Sequence, residues 1–312
     1  MLIRLKRLPL VFSILISFFC LGASQSCYRD NGSAEGGSLK VEMSLDKNIF
    51  LGSSSLQANK SYSVYSIDAL SDTNFAIGSY RNDKIIILDK ELENVAEVSV
   101  PTPHGISKDS ENSFFVTTFR NNRVRKFNSN YEEQVDWDIE VRSSGLIHHP
   151  VAIDHDENDN AYIALYSENQ LMIVSKDGKL LKTFSASKDG EEAYPHDVLV
   201  YKKQIYVAIR NEGIYVFNTD GTFIKQFQNP PFELDPLNVK MFNEYVIVLN
   251  NNVESNPIVI YNLHGEVVSY LGERGDALDE FLVPTNSLQI GKNKIVIVEE
   301  RSNRVRIFNL EF

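Results

Sequence analysis

Two histidines stand at matching places along the chain, each directly after a proline that opens an apolar run. His104 follows Pro103, and His196 follows Pro195. Imidazole titrates near neutral pH and is a common metal ligand. If the two runs converge, these histidines could hold a metal or form an acid/base pair; the alternative is that both are structural and bonded to backbone.

Four arginines follow a second apolar run in what looks like one shared position. They are Arg81, Arg120, Arg210 and Arg301. Guanidinium groups gathered near one axis repel each other unless an anion lies between them, and their planar fork suits carboxylate or phosphate. We therefore predict that they bind an anion. The alternative is that they pair with nearby acids, such as Glu212, Asp83 or Glu300.

These residues belong to a unit that occurs six times, at intervals of 39 to 49 residues. Aligned on an apolar residue of the first run, the units are centred on Ile67, Ile106, Ile153, Val198, Val239 and Leu288. Each unit contains short apolar runs separated by polar turns, and Asp-Gly between two such runs is typical of a β-hairpin. A period of this length with four strands per unit indicates an all-β, six-bladed β-propeller.

The two ends of the chain predict how the ring closes. The sixth unit supplies three strands before the chain stops at Phe312. Residues 39–46 alternate apolar and polar side chains ahead of the first unit and have no partner of their own. We expect this N-terminal strand to complete the last blade and to cover the sheet edge that would otherwise be exposed.

The first 26 residues resemble a secretory signal peptide, with a basic start, an apolar stretch of about a dozen residues and a small-residue end. Cys27 follows directly, and residues 27–38 have the composition of a flexible tether. Cys27 is therefore a candidate lipidation site, and residues 39–312 are the expected propeller. The two cysteines, Cys20 and Cys27, leave the propeller without a disulfide, which favours a bacterial cell-envelope protein, lipid-anchored or periplasmic.

The charge balance excludes one class of partner. The chain carries 42 acidic and 31 basic residues, for a net charge of −11. Nucleic-acid binding requires a basic surface, so we expect no nucleic-acid partner. We expect a monomer that binds an anionic small molecule, peptide or protein segment.

The segment that joins the fifth and sixth units resembles the NHL-repeat signature. Tyr270-Leu-Gly-Glu-Arg-Gly275 leads to Phe281 and Pro284, as in that family, and Asn303-Arg-Val-Arg-Ile-Phe308 is similar to its third strand. The resemblance implies a six-bladed, NHL-type or TolB-like propeller. It implies little about activity, because this fold carries lyases, lactonase-like enzymes and binding modules.

A weaker resemblance is to peptidyl-α-hydroxyglycine amidating lyase. It implies that His104 and His196 match two zinc ligands of that family, and that Arg81 and Arg210 match its arginines. Tyr166 lies one residue from the position of its tyrosine, and Thr285 replaces its third zinc ligand. A metal-dependent lyase or hydrolase that uses His104, His196 and Tyr166 is therefore the alternative function.

Two further possibilities stay open. Residues 154–160 are rich in Asp and Asn and resemble a calcium loop, although they lack the glycine and distal glutamate of an EF-hand.

Another alternative to small-ligand binding is that the whole loop-bearing face is a protein-protein interaction scaffold. The long connections 131–149, 185–194, 228–235, 250–257 and 271–283 all open on the face that carries the histidines and arginines. Because long loops on a rigid scaffold often carry function, we place the candidate binding site on that face.

Overall fold

The computed structural model describes residues 41–50, 63–134, 149–275, 277 and 280–312. Within these ranges the secondary structure consists of 26 strands and two single-turn 3-10 helices, Tyr80–Asn82 and Tyr166–Glu168. No helix in these ranges is both long enough and apolar enough to span a bilayer. The predicted signal peptide, the predicted tether and the candidate lipidation site Cys27 lie outside the described residues.

Twenty-four of these strands form six four-stranded blades, and the other two form a separate short pair. Strand β1 (Glu42–Phe50) comes first, followed by blade 1 with β2 (Val64–Ala69), β3 (Asn74–Ser79), β4 (Lys84–Asp89) and β5 (Asn94–Ser99). Blade 2 has β6 (Pro103–Lys108), β7 (Phe114–Thr118), β8 (Arg123–Phe127) and β9 (Glu133–Gln134). Blade 3 has β10 (Pro150–His155), β11 (Ala161–Leu165), β12 (Gln170–Val174) and β13 (Leu180–Ser185).

The second half of the chain repeats the pattern. Blade 4 has β14 (Pro195–Tyr201), β15 (Gln204–Ile209), β16 (Gly213–Asn218) and β17 (Phe223–Gln226). Blade 5 has β18 (Pro236–Phe242), β19 (Tyr245–Asn250), β20 (Ile258–Asn262) and β21 (Val267–Leu271). A short parallel pair, β22 (Glu273–Arg274) and β23 (Glu280–Phe281), precedes β24 (Pro284–Ile290), β25 (Lys294–Glu299) and β26 (Arg304–Glu311).

Each blade is an antiparallel sheet whose innermost strand is the first of its group, and the innermost strands form a closed cycle. Strand β2 contacts β6, which contacts β10, and the contacts continue through β14 and β18 to β24, which returns to β2. The second strands are buried along all or nearly all of their length, because each blade packs against both neighbours. The predicted six-bladed β-propeller is confirmed.

The predicted closure by the N-terminal strand is also confirmed. Strand β1 pairs antiparallel with β26, so blade 6 has the order β1-β26-β25-β24. Glu42 lies opposite Glu311, and Met43 is 1% exposed within a core shared by blades 5 and 6. The two ends of the chain therefore close the ring by strand pairing.

The two ends of the propeller differ in their connections. The turns that follow second strands and the links between blades lie on one end, which we call the loop face. The turns after first and third strands lie on the other, the short-turn face. Because β1 runs antiparallel to β26, it begins at the short-turn face, with Glu42 opposite Glu311 at the end of β26.

One residue of the sequence alignment was wrong. In blades 2 to 5 the central inner-strand residue lies three positions after the opening proline, and the same count from Pro284 reaches Ser287, not Leu288. The register agrees, because Ser287 lies opposite Ile297. Ser287 is fully buried and its Oγ lies 2.8 Å from Oδ1 of Asn238, so a polar residue occupies a place that the alignment assumed to be apolar.

Truncating the buried side chain of β1 tests this closure. Met43→Ala is expected to lower the free energy of unfolding by about 3 kcal/mol, because it removes a fully buried side chain from the contact between blades 5 and 6. Ser44→Ala, one residue along and half-buried, is the matched control and should change stability little. Chemical denaturation of both variants makes the comparison; equal effects would contradict closure by β1.

Candidate functional site

Six equivalent backbone positions surround the axis at the loop face. In every blade the residue directly after the second strand donates its backbone N–H to the carbonyl that precedes the innermost strand. The six bonds run from Tyr80 to Ser63, Phe119 to Thr102, Tyr166 to His149, Arg210 to Tyr194, Asn251 to Asp235 and Glu300 to Val283. We call these six donor residues the inner positions. The residues that follow them are the outer positions: Arg81, Arg120, Ser167, Asn211, Asn252 and Arg301.

This register corrects the assumption that the four arginines share one position. Arg210 occupies an inner position, whereas Arg81, Arg120 and Arg301 occupy outer positions. The outer three are exposed, and Arg210 is half-buried. The sequence alignment matched arginine to arginine and therefore shifted blade 4 by one residue. Anion binding by these arginines stays a prediction.

Arg210 is already paired. Its Nε and Nη2 atoms donate to the two carboxylate oxygens of Asp235 at 3.0 and 2.8 Å, and its Nη1 lies 3.5 Å from the Tyr166 hydroxyl. Asn251 donates to the same carboxylate at 3.1 Å. Desolvation opposes ionisation of Asp235, but the hydrogen bonds from Arg210 and Asn251, together with the charge of Arg210, outweigh it and lower the pKa of that carboxyl. The guanidinium thus positions Asp235 and Tyr166 and is largely neutralised.

The three outer arginines are held more loosely. The Arg81 guanidinium lies 4.0 Å from the Glu300 carboxylate, and its side chain is 65% exposed. This is the acidic pairing that the sequence offered as an alternative, although at a distance and exposure where such pairs contribute little stability. Arg120 lies over the Tyr80 ring at 5.7 Å. Neither Arg120 nor Arg301 forms an ion pair within the described ranges.

The two histidines do converge on the axis. Their ring centroids are 5.8 Å apart, and both residues are buried, with 7% and 9% exposure. Nδ1 of His104 lies 2.6 Å from the Val151 carbonyl oxygen, and Nδ1 of His196 lies 3.1 Å from that of Leu237. A carbonyl oxygen can only accept, so Nδ1 of each ring carries the proton and Nε2 is an acceptor.

Tyr65 completes this group and was not found in the sequence. Its hydroxyl lies 3.0 Å from Nε2 of His196, and its ring is 3.9 Å from that of His104, centroid to centroid. Burial lowers the pKa of His104 to about 3 and that of His196 to about 4, and it raises the pKa of Tyr65. All three side chains are therefore neutral at pH 7.

The residues present do not fit a resident zinc ion. Within the described ranges, no group of three or more His, Cys, Asp or Glu side chains is arranged to hold a metal. Thr285, at the place of the third ligand, is buried and its hydroxyl lies 3.3 Å from the carbonyls of Val64 and Val298. Tyr65 contacts both imidazoles, and its hydroxyl lies 3.0 Å from Nε2 of His196, which is the nitrogen of that ring that does not face the Leu237 carbonyl.

The calcium-like segment is a hydrogen-bonded turn. Both oxygens of Asp156 accept internal bonds: Oδ1 from the backbone N–H groups of Asn158 and Asn160, and Oδ2 from the Asn160 amide and the Tyr162 hydroxyl. These bonds account for the Asp/Asn composition of the turn without an ion.

The mouth itself is lined by aromatic side chains, most of which the sequence analysis missed. Phe119 stacks on His149 with centroids 4.5 Å apart, and Tyr166 lies 5.4 Å from Tyr194. Tyr80 lies 6.3 Å from Tyr65 and 6.4 Å from Phe119. Tyr80, Phe119 and Tyr166 occupy inner positions. They could have been found by taking, in each unit, the residue directly after the second strand.

Below this aromatic layer the channel is nearly closed. The space beneath the histidines has a volume of about 10 Å³, and Tyr65, His104, His196, Lys240 and Thr285 are among the residues that line it. That volume is about enough for one water molecule. A ligand of the loop face must therefore lie on the mouth and cannot enter the channel.

No family model matches this chain, and neither does any curated protein sequence. Its fold is similar to solved structures. Virginiamycin B lyase from Staphylococcus aureus aligns with a TM-score of 0.62 and 12% identity over 87% of this chain and 99% of that one. A streptogramin B lyase aligns with a TM-score of 0.60 and 10% identity, over 87% and 98%. A Bacteroides thetaiotaomicron protein of unknown function gives 0.63 and 11%, over 85% and 72%. At these identities, the likeness establishes the fold alone.

The buried neutral histidines predict a loss of stability in mild acid. In the unfolded chain both imidazoles bind protons below their ordinary pKa of 6.5, whereas in the folded protein they stay neutral to about pH 4. This contribution is fully present above pH 6.5 and is lost as the pH falls. Between pH 7 and pH 5 we expect a loss of about 2 kcal/mol per histidine in the free energy of unfolding.

Urea unfolding at pH 7 and pH 5 measures this loss. The His104→Gln/His196→Gln variant should show a smaller difference between the two pH values than the parent. Asp68, whose pKa burial raises to about 6, acts in the opposite sense, but it is present in both proteins and cancels in the comparison. An identical pH dependence in parent and variant would contradict the neutral, buried state of the histidines.

Proposed function

We propose that this chain is an exported, lipid-anchored β-propeller that binds an anionic ligand at the loop-face mouth. The ligand class is a small molecule, a peptide or a protein segment that presents a carboxylate next to a flat apolar group. The observation that carries this proposal is the arrangement of the outer arginines. Arg301, Arg81 and Arg120 occupy the same backbone position in blades 6, 1 and 2, which are consecutive around the ring.

The positive charge of these three arginines is not neutralised by close acidic partners among the described residues. Arg81 has one distant acidic partner, Glu300, and that carboxylate also accepts a hydrogen bond from Ser63 at 3.0 Å. Three exposed guanidiniums side by side raise the local potential on a chain whose net charge is −11. A ligand carboxylate would be attracted to this arc and could accept paired N–H bonds there.

The opposite side of the mouth carries neutral residues at the outer positions, Ser167, Asn211 and Asn252 in blades 3, 4 and 5. A surface cavity of about 410 Å³ beside blade 4 has Glu212 and Glu233 in its lining, and the Glu212 carboxylate lies 3.8 Å from Nζ of Lys188. The arginines of the outer positions all lie on the other side, so the ligand would be oriented with its charge toward blades 6, 1 and 2.

The aromatic residues supply the second part of the recognition. Tyr80 and Phe119 lie between the arginine arc and the closed axis, and both are half-buried with part of the ring exposed. Stacking on such rings contributes about 0.5–1.5 kcal/mol beyond the area that it buries. A ligand that combines a carboxylate with an aromatic ring would use both features at once.

A matched pair of probes tests the proposal. N-acetyltyrosine carries a ring and a carboxylate, whereas N-acetyltyrosinamide is its neutral counterpart. We expect the acid to bind roughly tenfold more tightly than the amide in calorimetric or NMR titrations at low salt, because a single charge-assisted contact has about this magnitude. Arg120→Gln should remove the difference.

Lys179→Gln is the control, because Lys179 is an exposed cation on the short-turn face. It should leave both affinities unchanged. Equal binding of acid and amide by the parent protein, or an effect of Lys179→Gln as large as that of Arg120→Gln, would contradict an anion site at the mouth. A protein partner spread over the whole loop face would instead show a weak response to each single arginine change.

A lyase is the second candidate. The solved structures with this fold include lyases that are named for virginiamycin B and streptogramin B. The feature that favours it here is the 3.0 Å contact between the Tyr65 hydroxyl and Nε2 of His196, a donor and an acceptor placed at the mouth. An imidazole with a pKa of about 4 is a weak base at neutral pH, which makes this candidate second.

Metal analysis of the same preparation separates the two candidates. Stoichiometric zinc that is absent from the His104→Gln/His196→Gln variant would favour the lyase. Acid-selective binding that is the same with zinc and with a chelator would favour the binding protein.

Export and anchoring are the remaining part of the proposal. Residues 1–26 have the features of a signal peptide, and Cys27 stands where bacterial lipoproteins are acylated. The geometry supports a functional orientation: β1 begins at the short-turn face, so the chain joins the propeller on the side away from the mouth. An anchor at Cys27 would therefore leave the mouth directed away from the membrane.

Fractionation of expressing cells tests the anchor. Cys27→Ser is expected to move the protein from the membrane fraction to the soluble fraction, because acylation at this cysteine would be the only lipid attachment. Cys20→Ser changes the other cysteine, inside the apolar signal segment, and should leave the distribution unchanged. Retention of the Cys27→Ser protein in the membrane fraction would contradict a lipid anchor at that position.

A further inference from the structure

A second cavity lies on the short-turn face, between blades 3 and 4, on the opposite side of the molecule from the mouth. Its volume is about 830 Å³, within the range of small-molecule sites. It is bounded by the turn after β10, the turn after β14 and the outer strand β13. None of the residues discussed for the mouth lines it.

The rim of this cavity carries two lysines in an unusual backbone conformation. Lys202 and Lys203 form the two-residue turn between β14 and β15, with φ angles of 48° and 62°. A turn with positive φ at both central residues is of type I′, which strongly favours Asn-Gly. Side chains with a Cβ are strained in this region. Two consecutive lysines in this turn therefore place two positive charges beside the cavity, although the turn is less stable than it would be with Asn-Gly.

The positive charge at the rim has no internal counterion. Neither Lys202 nor Lys203 forms an ion pair with any residue that the structure describes. Lys182, on β13, also lines the cavity and donates to the backbone carbonyl of Asp220. Of the two acids in the lining, Asp156 accepts hydrogen bonds at both carboxylate oxygens from residues 158–162. The Glu157 carboxylate forms no hydrogen bond or ion pair with the residues that the structure describes.

About half of the cavity wall is apolar. Tyr162 and Ile173 are buried core residues that reach the cavity, and Val200 and Tyr201 continue the wall on blade 4. Leu181, on β13, is 56% exposed, which is a large value for a leucine on the wall of a concave site. This apolar area is available to the body of a ligand.

One buried polar atom in the lining has no partner. His155 contacts the Ser107 hydroxyl through Nδ1 at 2.8 Å, but its Nε2 is buried without a hydrogen bond within the described part of the chain. A buried polar atom without a partner is costly. When Nδ1 accepts the Ser107 proton, Nε2 carries a hydrogen for which the described residues offer no acceptor.

We propose that this cavity is a binding site for an amphipathic organic anion, with a carboxylate or sulfonate near Lys202 and Lys203 and an apolar body against Ile173 and Leu181. The site is independent of the mouth, because the two lie on opposite ends of the propeller and share no lining residue. It would exist whether or not the mouth binds a ligand.

A dye titration tests this site. Anilinonaphthalene sulfonate combines an anion with an aromatic body and fluoresces when it is transferred to an apolar site. We expect saturable binding to the full chain, and displacement of the dye by decanoate but not by decanol. The decisive variant is Lys202→Asn/Lys203→Gly, which removes both charges and installs the residues that the turn prefers.

This variant should bind the dye at least tenfold more weakly, because two charge-assisted contacts are lost and each has a magnitude of about tenfold. Its melting temperature should be equal to or above that of the parent, so weaker binding cannot be attributed to unfolding. Lys179→Gln, in a neighbouring turn of the same face but outside the cavity, is the matched control and should bind like the parent.

Three results would overturn the proposal: no saturable binding, equal displacement by decanoate and decanol, or unchanged affinity in the Lys202→Asn/Lys203→Gly variant. Arg120→Gln should leave dye binding unchanged. If the mouth fails its own test while the dye behaves as expected, the cavity proposal stands without the mouth proposal. If Arg120→Gln weakens dye binding as much as the turn variant does, the dye reports on the mouth and the cavity proposal fails.

Discussion

Closure of the ring is the constraint on which both candidate sites depend. A four-stranded blade has two apolar faces and cannot bury both alone, so each blade is stable only between two neighbours. Five blades are continuous in sequence, but blade 6 is assembled from both ends of the chain. If β1 leaves β26, an unpaired edge is exposed and the contacts between blades 5 and 6 and between blades 6 and 1 lose support.

A buried ion pair strengthens the closing blade from within. Arg306 and Glu299 are both fully buried, with a closest approach of 2.5 Å. Glu299 also accepts the backbone N–H of Leu282 at 2.8 Å, and Arg306 donates to the Glu280 carbonyl at 2.8 Å and lies 4.2 Å from the Phe281 ring centroid. Removal of either partner would leave an uncompensated buried charge, which is strongly destabilising. The pair therefore ties the link between blades 5 and 6 to the blade that closes the ring.

The features that recur in every blade could be predicted from the sequence. The positions of single side chains could not, because a shift of one residue in the strand register places a side chain at a different site. The blade count and the closing strand follow from strand periodicity, which every blade shares. Arg210 was grouped with the outer arginines because the units were matched by residue type. Counting from the last residue of the second strand would have placed it at an inner position. Tyr65 was missed because blade 1 opens with Val64 instead of proline, so its position had no visible marker. The two histidines were found because prolines mark both.

The cavity between blades 3 and 4 could not have been found from sequence, because its walls come from turns that are far apart in the chain. Lys202 and Lys203 looked like an ordinary polar turn, and only their left-handed conformation and their position beside Leu181 distinguish them. The same holds for the mouth, where three arginines become neighbours only through the order of blades around the ring.

The channel axis separates the two ends of the molecule electrostatically. Lys240 lies in the channel, where desolvation opposes its charge, but the carboxylates of Asp197, Asp68 and Asp154 raise its pKa above the ordinary value. Burial in turn raises the pKa of Asp68 to about 6. One ammonium and three carboxylates share this buried space, and the neutral side chains of Tyr65 and the two histidines cover them on the side of the mouth. A ligand at the mouth therefore meets neutral side chains over a nearly closed channel, and for this reason the mouth and the short-turn cavity can bind independently.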